Sequence, residues 1–152
     1  MEGRRYYYGI NLSNRNFSGQ DLRRVNFRSA ILKGAKFIDA NLEGADFSNA
    51  YLDAADFSGA NLSQATFRRS YLVGARLNQA NLTKTMFVNA CLLEANFEGA
   101  TLIETDFTNA SLRSAIFDSR NLEDCHLPNT RFPSGNAVRC RAIRYGNVQI
   151  FA

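Results

Sequence analysis

Every fifth residue of this chain is leucine or phenylalanine along most of its length. From Leu12 to Phe132, all 25 positions at this spacing hold one of the two residues, and alanine lies two residues earlier in 15 of the 25 cases. A period of five fits neither an α-helix, in which five residues turn through about 500°, nor a flat strand, in which alternate residues face opposite sides. The chain must therefore turn by a constant angle every five residues, with each of these centre residues pointing inward.

The residues also indicate how many pentads make one coil. Leu and Phe centres alternate along much of the chain, which requires an even number of faces, and four faces give a coil of 20 residues. Residues 20 apart then lie on neighbouring coils, and the amides of Asn41, Asn61 and Asn81 are expected to hydrogen-bond along the coil axis. Opposite charges meet at five such pairs: Arg23–Glu43, Lys33–Asp53, Lys36–Asp56, Asp56–Arg76 and Lys84–Glu104. Like charges meet at two: Glu98–Asp118 and Glu104–Asp124.

This pattern resembles the pentapeptide repeat family, whose motif is a small residue, Asp or Asn, Leu or Phe, a polar residue and a variable residue. Ala45-Asp46-Phe47-Ser48-Asn49 and Ala60-Asn61-Leu62-Ser63-Gln64 match that motif. The resemblance covers residues 10–134 and implies an all-β fold, a right-handed quadrilateral β-helix of about six coils. At about 4.8 Å between paired strands, the solenoid would be roughly 30 Å long.

The two ends depart from the repeat. Arg15, Gln20 and Arg120 stand where a small inward residue belongs, so we expect the end coils to be distorted or open to water. Residues 1–9 are interpreted as an N-terminal cap, in which Tyr6, Tyr7 and Tyr8 cover the first coil. Residues 135–152 are interpreted as a C-terminal cap, a β-hairpin around Gly146-Asn147 or, as the alternative, a short helix.

The chain carries few residues suited to catalysis. His126 is the single histidine, and Cys91, Cys125 and Cys140 share no metal-ligand spacing and form no disulfide framework. The sequence therefore predicts a protein that is not an enzyme and that has no metal and no cofactor. No segment approaches the ~20 apolar residues of a membrane span, and the start lacks a secretory signal, so the predicted location is cytoplasmic, as in a bacterial-type soluble protein.

Binding is then the predicted function. The first hypothesis is a scaffold that engages an unidentified protein partner or a second copy of the chain. The family resemblance implies an alternative, a DNA mimic that binds DNA gyrase through an acidic surface, but the net charge of +4 and pI near 9.2 have the wrong sign. Direct nucleic-acid binding is the third hypothesis, and it is disfavoured because the basic residues at the N-terminal end lie on several faces rather than in one stripe. These residues are Arg23, Arg24, Arg28, Lys33 and Lys36.

One face of the predicted coil differs from the other three. The outward position just before the centre is mostly polar elsewhere, but before Leu32, Leu52, Leu72 and Leu92 it is apolar or amphipathic, and two positions just after the centre are apolar as well. We call these six residues the contact face: Ile31, Tyr51, Tyr71, Val73, Cys91 and Leu93. Two interpretations remain open, a surface that binds a protein or tyrosines that only stack and stiffen the coil.

Overall fold

A computed structural model describes residues 6–118 and Cys125. Parallel single-residue β-bridges join residue i to residue i+20 at 19 places, from Tyr6↔Asn26 to Asn96↔Ile116. The predicted coil of 20 residues is thus confirmed, and the chain is a right-handed quadrilateral β-helix. The described residues form five coils, at 6–25, 26–45, 46–65, 66–85 and 86–105, and part of a sixth at 106–118. The predicted C-terminal cap at 135–152, Arg120 and Asp124 lie outside the described residues.

Each coil has four faces, which we number in chain order by their centre residues. Face 1 contains Tyr7, Phe27, Phe47, Phe67, Phe87 and Phe107, and face 2 contains Leu12, Leu32, Leu52, Leu72, Leu92 and Leu112. Face 3 contains Phe17, Phe37, Phe57, Leu77, Phe97 and Phe117, and face 4 contains Leu22, Leu42, Leu62, Leu82 and Leu102. Faces 1 and 3 are opposite, as are faces 2 and 4.

Backbone hydrogen bonds explain why a pentad is the repeating unit. Around Leu32, for example, the N–H of Leu32 donates to the carbonyl of Tyr51 on the next coil at 2.7 Å, and the N–H of Ile31 donates to the previous coil at 3.0 Å. The N–H of Ala35 closes a β-turn onto the carbonyl of Leu32 at 3.0 Å. Each pentad therefore pairs with both neighbouring coils and then turns a corner, and no helix forms among the described residues.

Every corner has the same unusual backbone conformation. The residue two after each centre has positive φ at all 22 positions from Gly9 to Ser114, and only seven of these are glycine. Positive φ at the third residue of a β-turn is the property of a type II turn. Because a left-handed conformation costs a non-glycine residue about 1–2 kcal/mol, the corners must be held by the inter-coil hydrogen bonds and the core.

The Asn or Asp before many centres has a local role. Its side-chain oxygen accepts the N–H of the residue two positions later, as in Asn61 with Ser63 at 3.2 Å and Asp106 with Thr108 at 2.8 Å. This bond satisfies a corner N–H that makes no bond to a neighbouring coil. The predicted amide ladder is confirmed: Asn61 Nδ2 donates to Asn41 Oδ1 at 3.2 Å, and Asn81 Nδ2 donates to Asn61 Oδ1 at 3.3 Å.

The core consists of the centres and the small residues two positions before them. Phenylalanine rings stack along faces 1 and 3 with centroids 4.7–5.3 Å apart, and they meet the rings of the opposite face edge-on at 5.6–6.2 Å. Leu77 interrupts the ring column of face 3 between Phe57 and Phe97. The alanines lie against these rings and are buried, which explains why a larger residue at their position is rare.

The N-terminal coil is less closed than the middle of the solenoid. Tyr7 takes the centre position and stacks on Phe27 at 5.1 Å, whereas Tyr6 and Tyr8 are exposed. Arg15 and Gln20, which stand at inward positions, are exposed to solvent. Of the three tyrosines expected to cover the first coil, Tyr7 is therefore the one in contact with the core.

Candidate protein-contact surface

Four residues of the contact face form one continuous ladder on face 2. Parallel bridges join Ile31 to Tyr51, Tyr51 to Tyr71, and Tyr71 to Cys91. Val73 and Leu93 lie beside this ladder at the corner between faces 2 and 3, and the carbonyl of Leu93 accepts the N–H of Gly74 at 2.8 Å. The structure thus brings all six residues predicted from the sequence onto one side of the solenoid.

The two tyrosines of this face are stacked and exposed at the same time. Their ring centroids are 5.2 Å apart with an interplanar angle of 3°, so the stack expected from the coil geometry is present. Tyr51 and Tyr71 nevertheless expose 43% and 48% of their surface, and Val73 exposes 36%, while the other three residues are half-buried. Stacking therefore uses one side of each ring and leaves an apolar, hydroxyl-bearing surface open to a partner.

Four pentads of face 2 lack the local bond that Asn or Asp makes elsewhere, as do the pentads with Lys36, Arg76 and Met86 at the same position on faces 1 and 3. Ile31, Tyr51, Tyr71 and Cys91 have no side-chain carbonyl to accept the N–H of the residue two positions later, the role played elsewhere by Asn or Asp. At one of these corners the N–H of Val73 donates to Asp53 Oδ1 of the previous coil, at 3.3 Å. The side chains of these four residues thus accept no N–H from their own corner, and the corner does not require these residue types.

Two arginines beside the contact face were not singled out by the sequence. Arg68 and Arg69 lie at the corner between faces 1 and 2, immediately before Tyr71, and both are exposed. Arg68 Nη2 lies 3.4 Å from Met86 Sδ, and neither guanidinium forms an ion pair with any residue that the structure describes. The sequence feature that could have identified them is that they lie in residues 57–93, a stretch that contains no Asp or Glu to neutralise their charge.

The basic residues at the N-terminal end are spread around the solenoid, as the sequence predicts. Arg23 and Arg24 lie at the corner between faces 4 and 1, Arg28 at the corner between faces 1 and 2, Lys33 at the corner between faces 2 and 3, and Lys36 on face 3. Three of them pair with carboxylates: Arg23 with Asp21 at 2.6 Å, Arg28 with Asp46 at 3.5 Å and Lys33 with Asp53 at 3.2 Å. Such a ring of partly neutralised charges does not present one continuous basic surface.

Neither a metal-ligand cluster nor a candidate membrane span occurs in the described part of the chain. No group of three or more His, Cys, Asp or Glu side chains comes together there, and no helix in residues 6–118 is long and apolar enough to cross a membrane. His126 and Cys140 lie outside the described residues.

Comparison with known proteins identifies the repeat. A family model described as "Pentapeptide repeats" matches in eight copies over residues 8–44, 30–69, 60–92 and 90–129. A pentapeptide repeat protein from the Arabidopsis thaliana thylakoid lumen is 36% identical over 70% of this chain and 71% of that one, with a TM-score of 0.38. A search of curated proteins found no match.

Two further solved structures are similar over a larger part of this chain. HetL, a pentapeptide repeat protein involved in heterocyst differentiation regulation in the cyanobacterium Nostoc sp. strain PCC 7120, is 26% identical. The similarity covers 86% of this chain and 61% of HetL, with a TM-score of 0.39, so this chain spans less than two thirds of HetL. QnrB1, a plasmid-mediated fluoroquinolone resistance protein, is 22% identical over 85% of this chain and 75% of that one, with a TM-score of 0.44.

Proposed function

Since the chain belongs to the pentapeptide repeat family, we propose that it is a non-catalytic scaffold that binds a protein partner, or a second copy of itself, through the contact face. The observation that carries this proposal is the ladder of Ile31, Tyr51, Tyr71 and Cys91 on a rigid, flat side, in which both tyrosine rings are exposed. Tyrosine is enriched in protein interfaces because its ring is large and its conformations are few. A contiguous apolar surface on a folded protein usually marks an interaction site.

The rigidity of the coil supports this role. The contact face is held by inter-coil hydrogen bonds on every pentad, for example the N–H of Leu52 to the carbonyl of Tyr71 at 2.7 Å. A partner therefore meets side chains whose backbone is already fixed and loses little free energy in ordering it. No group in this surface is arranged for acid, base or nucleophilic chemistry, which is why the proposal is binding without catalysis.

The test is the double substitution Tyr51→Ser with Tyr71→Ser. Both side chains are exposed, so the fold should persist while partner capture or self-association is lost, as measured by pull-down and sedimentation. The matched control is Tyr6→Ser with Tyr8→Ser, because these tyrosines are also exposed but lie outside the contact face. Unchanged sedimentation and unchanged partner recovery for the Tyr51/Tyr71 variant would show that this face is not the interface.

The two alternatives have their own tests. A gyrase supercoiling assay examines the DNA-mimic hypothesis. The net charge of +4 argues against that hypothesis. A DNA titration at two salt concentrations examines direct nucleic-acid binding, since neutralised phosphates give a steep dependence on salt. The cytoplasmic location stays a prediction, and the thylakoid-lumen source of the Arabidopsis relative is a reason to measure it.

A further inference from the structure

We infer that the partner of the contact face is an acidic polypeptide segment that also carries apolar side chains, with its carboxylates paired to Arg68 and Arg69. This inference rests on the proposed function and specifies the chemistry of the partner. It comes from the charge distribution in the middle of the solenoid and from the position of the two arginines beside Tyr71.

The middle of the solenoid has an excess of positive charge that the fold neutralises only in part. Residues 57–93 contain four basic residues and no acidic ones. Arg76 pairs with Asp56 at 3.7 Å and Lys84 pairs with Glu104 at 3.7 Å, both using acids outside this stretch. Arg68 and Arg69 have no ion pair within the described residues, so they are the cations available to an external carboxylate.

Their position makes them continuous with the contact face. The chain runs from Arg69 through buried Ser70 directly into Tyr71, and Arg68 reaches the half-buried Met86 on the next coil at 3.4 Å. Tyr, Met and Arg are the residues enriched at interface centres. An exposed guanidinium also binds a carboxylate with two parallel hydrogen bonds. The corner thus places a charged recognition element beside an apolar one.

The size of the contact face argues against two copies packed face to face. At about 4.8 Å between coils, the ladder from Ile31 to Cys91 with its flanking residues covers roughly 20 Å by 10 Å, or about 200 Å². A stable interface needs about 800 Å² from each partner. A partner must therefore extend around a corner, and the corner to face 1 adds Arg68, Arg69 and the half-buried Met86 and Val88.

A polypeptide fits these residues better than a nucleic acid does. Single-stranded nucleic acid is bound by a positively charged groove that follows several phosphates and by aromatic side chains that stack with its bases. Among the described residues, the arginines that adjoin the surface and form no ion pair are Arg68 and Arg69 at one corner and Arg113 at the other. The tyrosines stack on each other, and the face is flat. The adjacent cations Arg68 and Arg69 beside an apolar strip suit two carboxylates on a short peptide.

The experiment begins with a phage library of random 12-residue peptides selected on the full chain. The enriched peptides are synthesised and titrated by fluorescence anisotropy against four proteins: the natural chain, Arg69→Glu, Arg24→Glu, and Tyr51→Ser with Tyr71→Ser. Arg24 is a matched control because it occupies the same position in its pentad at a different corner, with φ of 56° against 55° for Arg69. It is exposed and forms no ion pair with any residue that the structure describes. Glu94 and Glu104 already occupy this backbone position with φ of 57° and 53°, so the coil accommodates glutamate there.

We expect Asp or Glu to be enriched next to apolar residues in the selected peptides. Arg69→Glu should weaken their binding about tenfold or more, increasingly so at low salt, while Arg24→Glu should change it less than twofold. Selected peptides without acidic residues, or equal binding by the Arg69→Glu variant and the natural chain, would overturn the inference. So would tighter binding of a labelled 12-nucleotide thymidine oligomer than of any selected peptide.

The tyrosine variant separates this inference from the proposed function. If Tyr51→Ser with Tyr71→Ser abolishes binding of peptides that Arg69→Glu still binds normally, the contact face is correct and the acidic partner is wrong. If neither variant changes the binding of the selected peptides, the contact face itself is wrong, and the inference that depends on it is overturned too.

Discussion

Replacing Phe57 by alanine tests whether the ring columns hold the coils together. Phe57 is fully buried in the middle of the solenoid. Its ring stacks on Phe37 at 4.9 Å and meets Phe47 and Phe67 edge-on at 5.6 Å and 5.7 Å. The backbone at this residue is fixed by the hydrogen bond from its N–H to the carbonyl of Arg76 at 2.8 Å.

The expected loss of unfolding free energy is about 4–5 kcal/mol. Removing a buried phenylalanine side chain costs about 3–5 kcal/mol when the cavity stays open. The upper part of that range applies because three ring contacts are lost, each worth roughly 0.5–1.5 kcal/mol, and because the paired coils cannot move together to fill the space. Phe57→Leu should cost only about 1–2 kcal/mol, since Leu77 already occupies the next place in the same column.

Urea unfolding followed by far-UV circular dichroism measures both variants, and the absence of tryptophan makes fluorescence less useful. With a slope of about 2 kcal/mol per molar urea, Phe57→Ala should lower the midpoint by roughly 2 M, provided that the slope is unchanged. A shift under about 0.5 M, or equal shifts for Phe57→Ala and Phe57→Leu, would refute the view that the column is rigid and held by ring contacts.

Four further substitutions examine other parts of the coil. Ala60→Leu should destabilise by about 1–3 kcal/mol or more, because Ala60 is fully buried and added methylenes overpack a rigid core; an unchanged urea midpoint would mean that this position tolerates bulk. Asn61→Ala should cost about 1–2 kcal/mol, because it removes the bonds to Ser63, Asn41 and Asn81; equal stability of this variant and the natural protein in thermal melts would contradict the ladder's contribution. Gly74→Ala should cost about 1 kcal/mol from positive φ alone, because an added Cβ meets nothing within 4 Å, whereas at Gly59 it would collide with the Asp39 carboxylate. Gly59→Ala should therefore be the less stable of the two in the same melt, and the reverse order would exclude crowding as the cause.

The sequence was sufficient to predict the coil because its information is periodic. The spacing of Leu and Phe predicts an inward centre in every pentad, and their alternation predicts an even number of faces. The amide ladder through Asn41, Asn61 and Asn81 follows from the 20-residue register. Of the five opposite-charge pairs that were expected, three are present: Lys33–Asp53, Asp56–Arg76 and Lys84–Glu104. Asp56 pairs with Arg76 and accepts a hydrogen bond from Ser58, while Arg23 pairs with Asp21 of its own pentad. The 20-residue register alone does not determine which of several nearby partners a charged side chain contacts.

Other features of the surface required coordinates. The left-handed corner at residues such as Arg69 and Ala54 is not recognisable from composition, since fifteen non-glycine residues occupy it. The role of Asn and Asp in accepting a corner N–H appears only once the backbone is placed, and so does the lack of that bond at Ile31, Tyr51, Tyr71 and Cys91. Whether Arg68 and Arg69 are free of an intramolecular ion pair likewise depends on which carboxylates pair with the neighbouring cations Arg76 and Lys84.

The 20-residue register also limits how genes for such a chain can change in length. Duplicating or deleting one whole coil keeps every face in line and alters the solenoid by about 4.8 Å. Deleting a single pentad between Tyr51 and Tyr71 would turn everything after it by one face, so that Tyr71 would no longer bridge Tyr51. Insertions and deletions of single pentads therefore preserve the fold but move the residues that follow them to a different face. The contact face thus depends on the number of pentads between its residues as well as on the residues themselves.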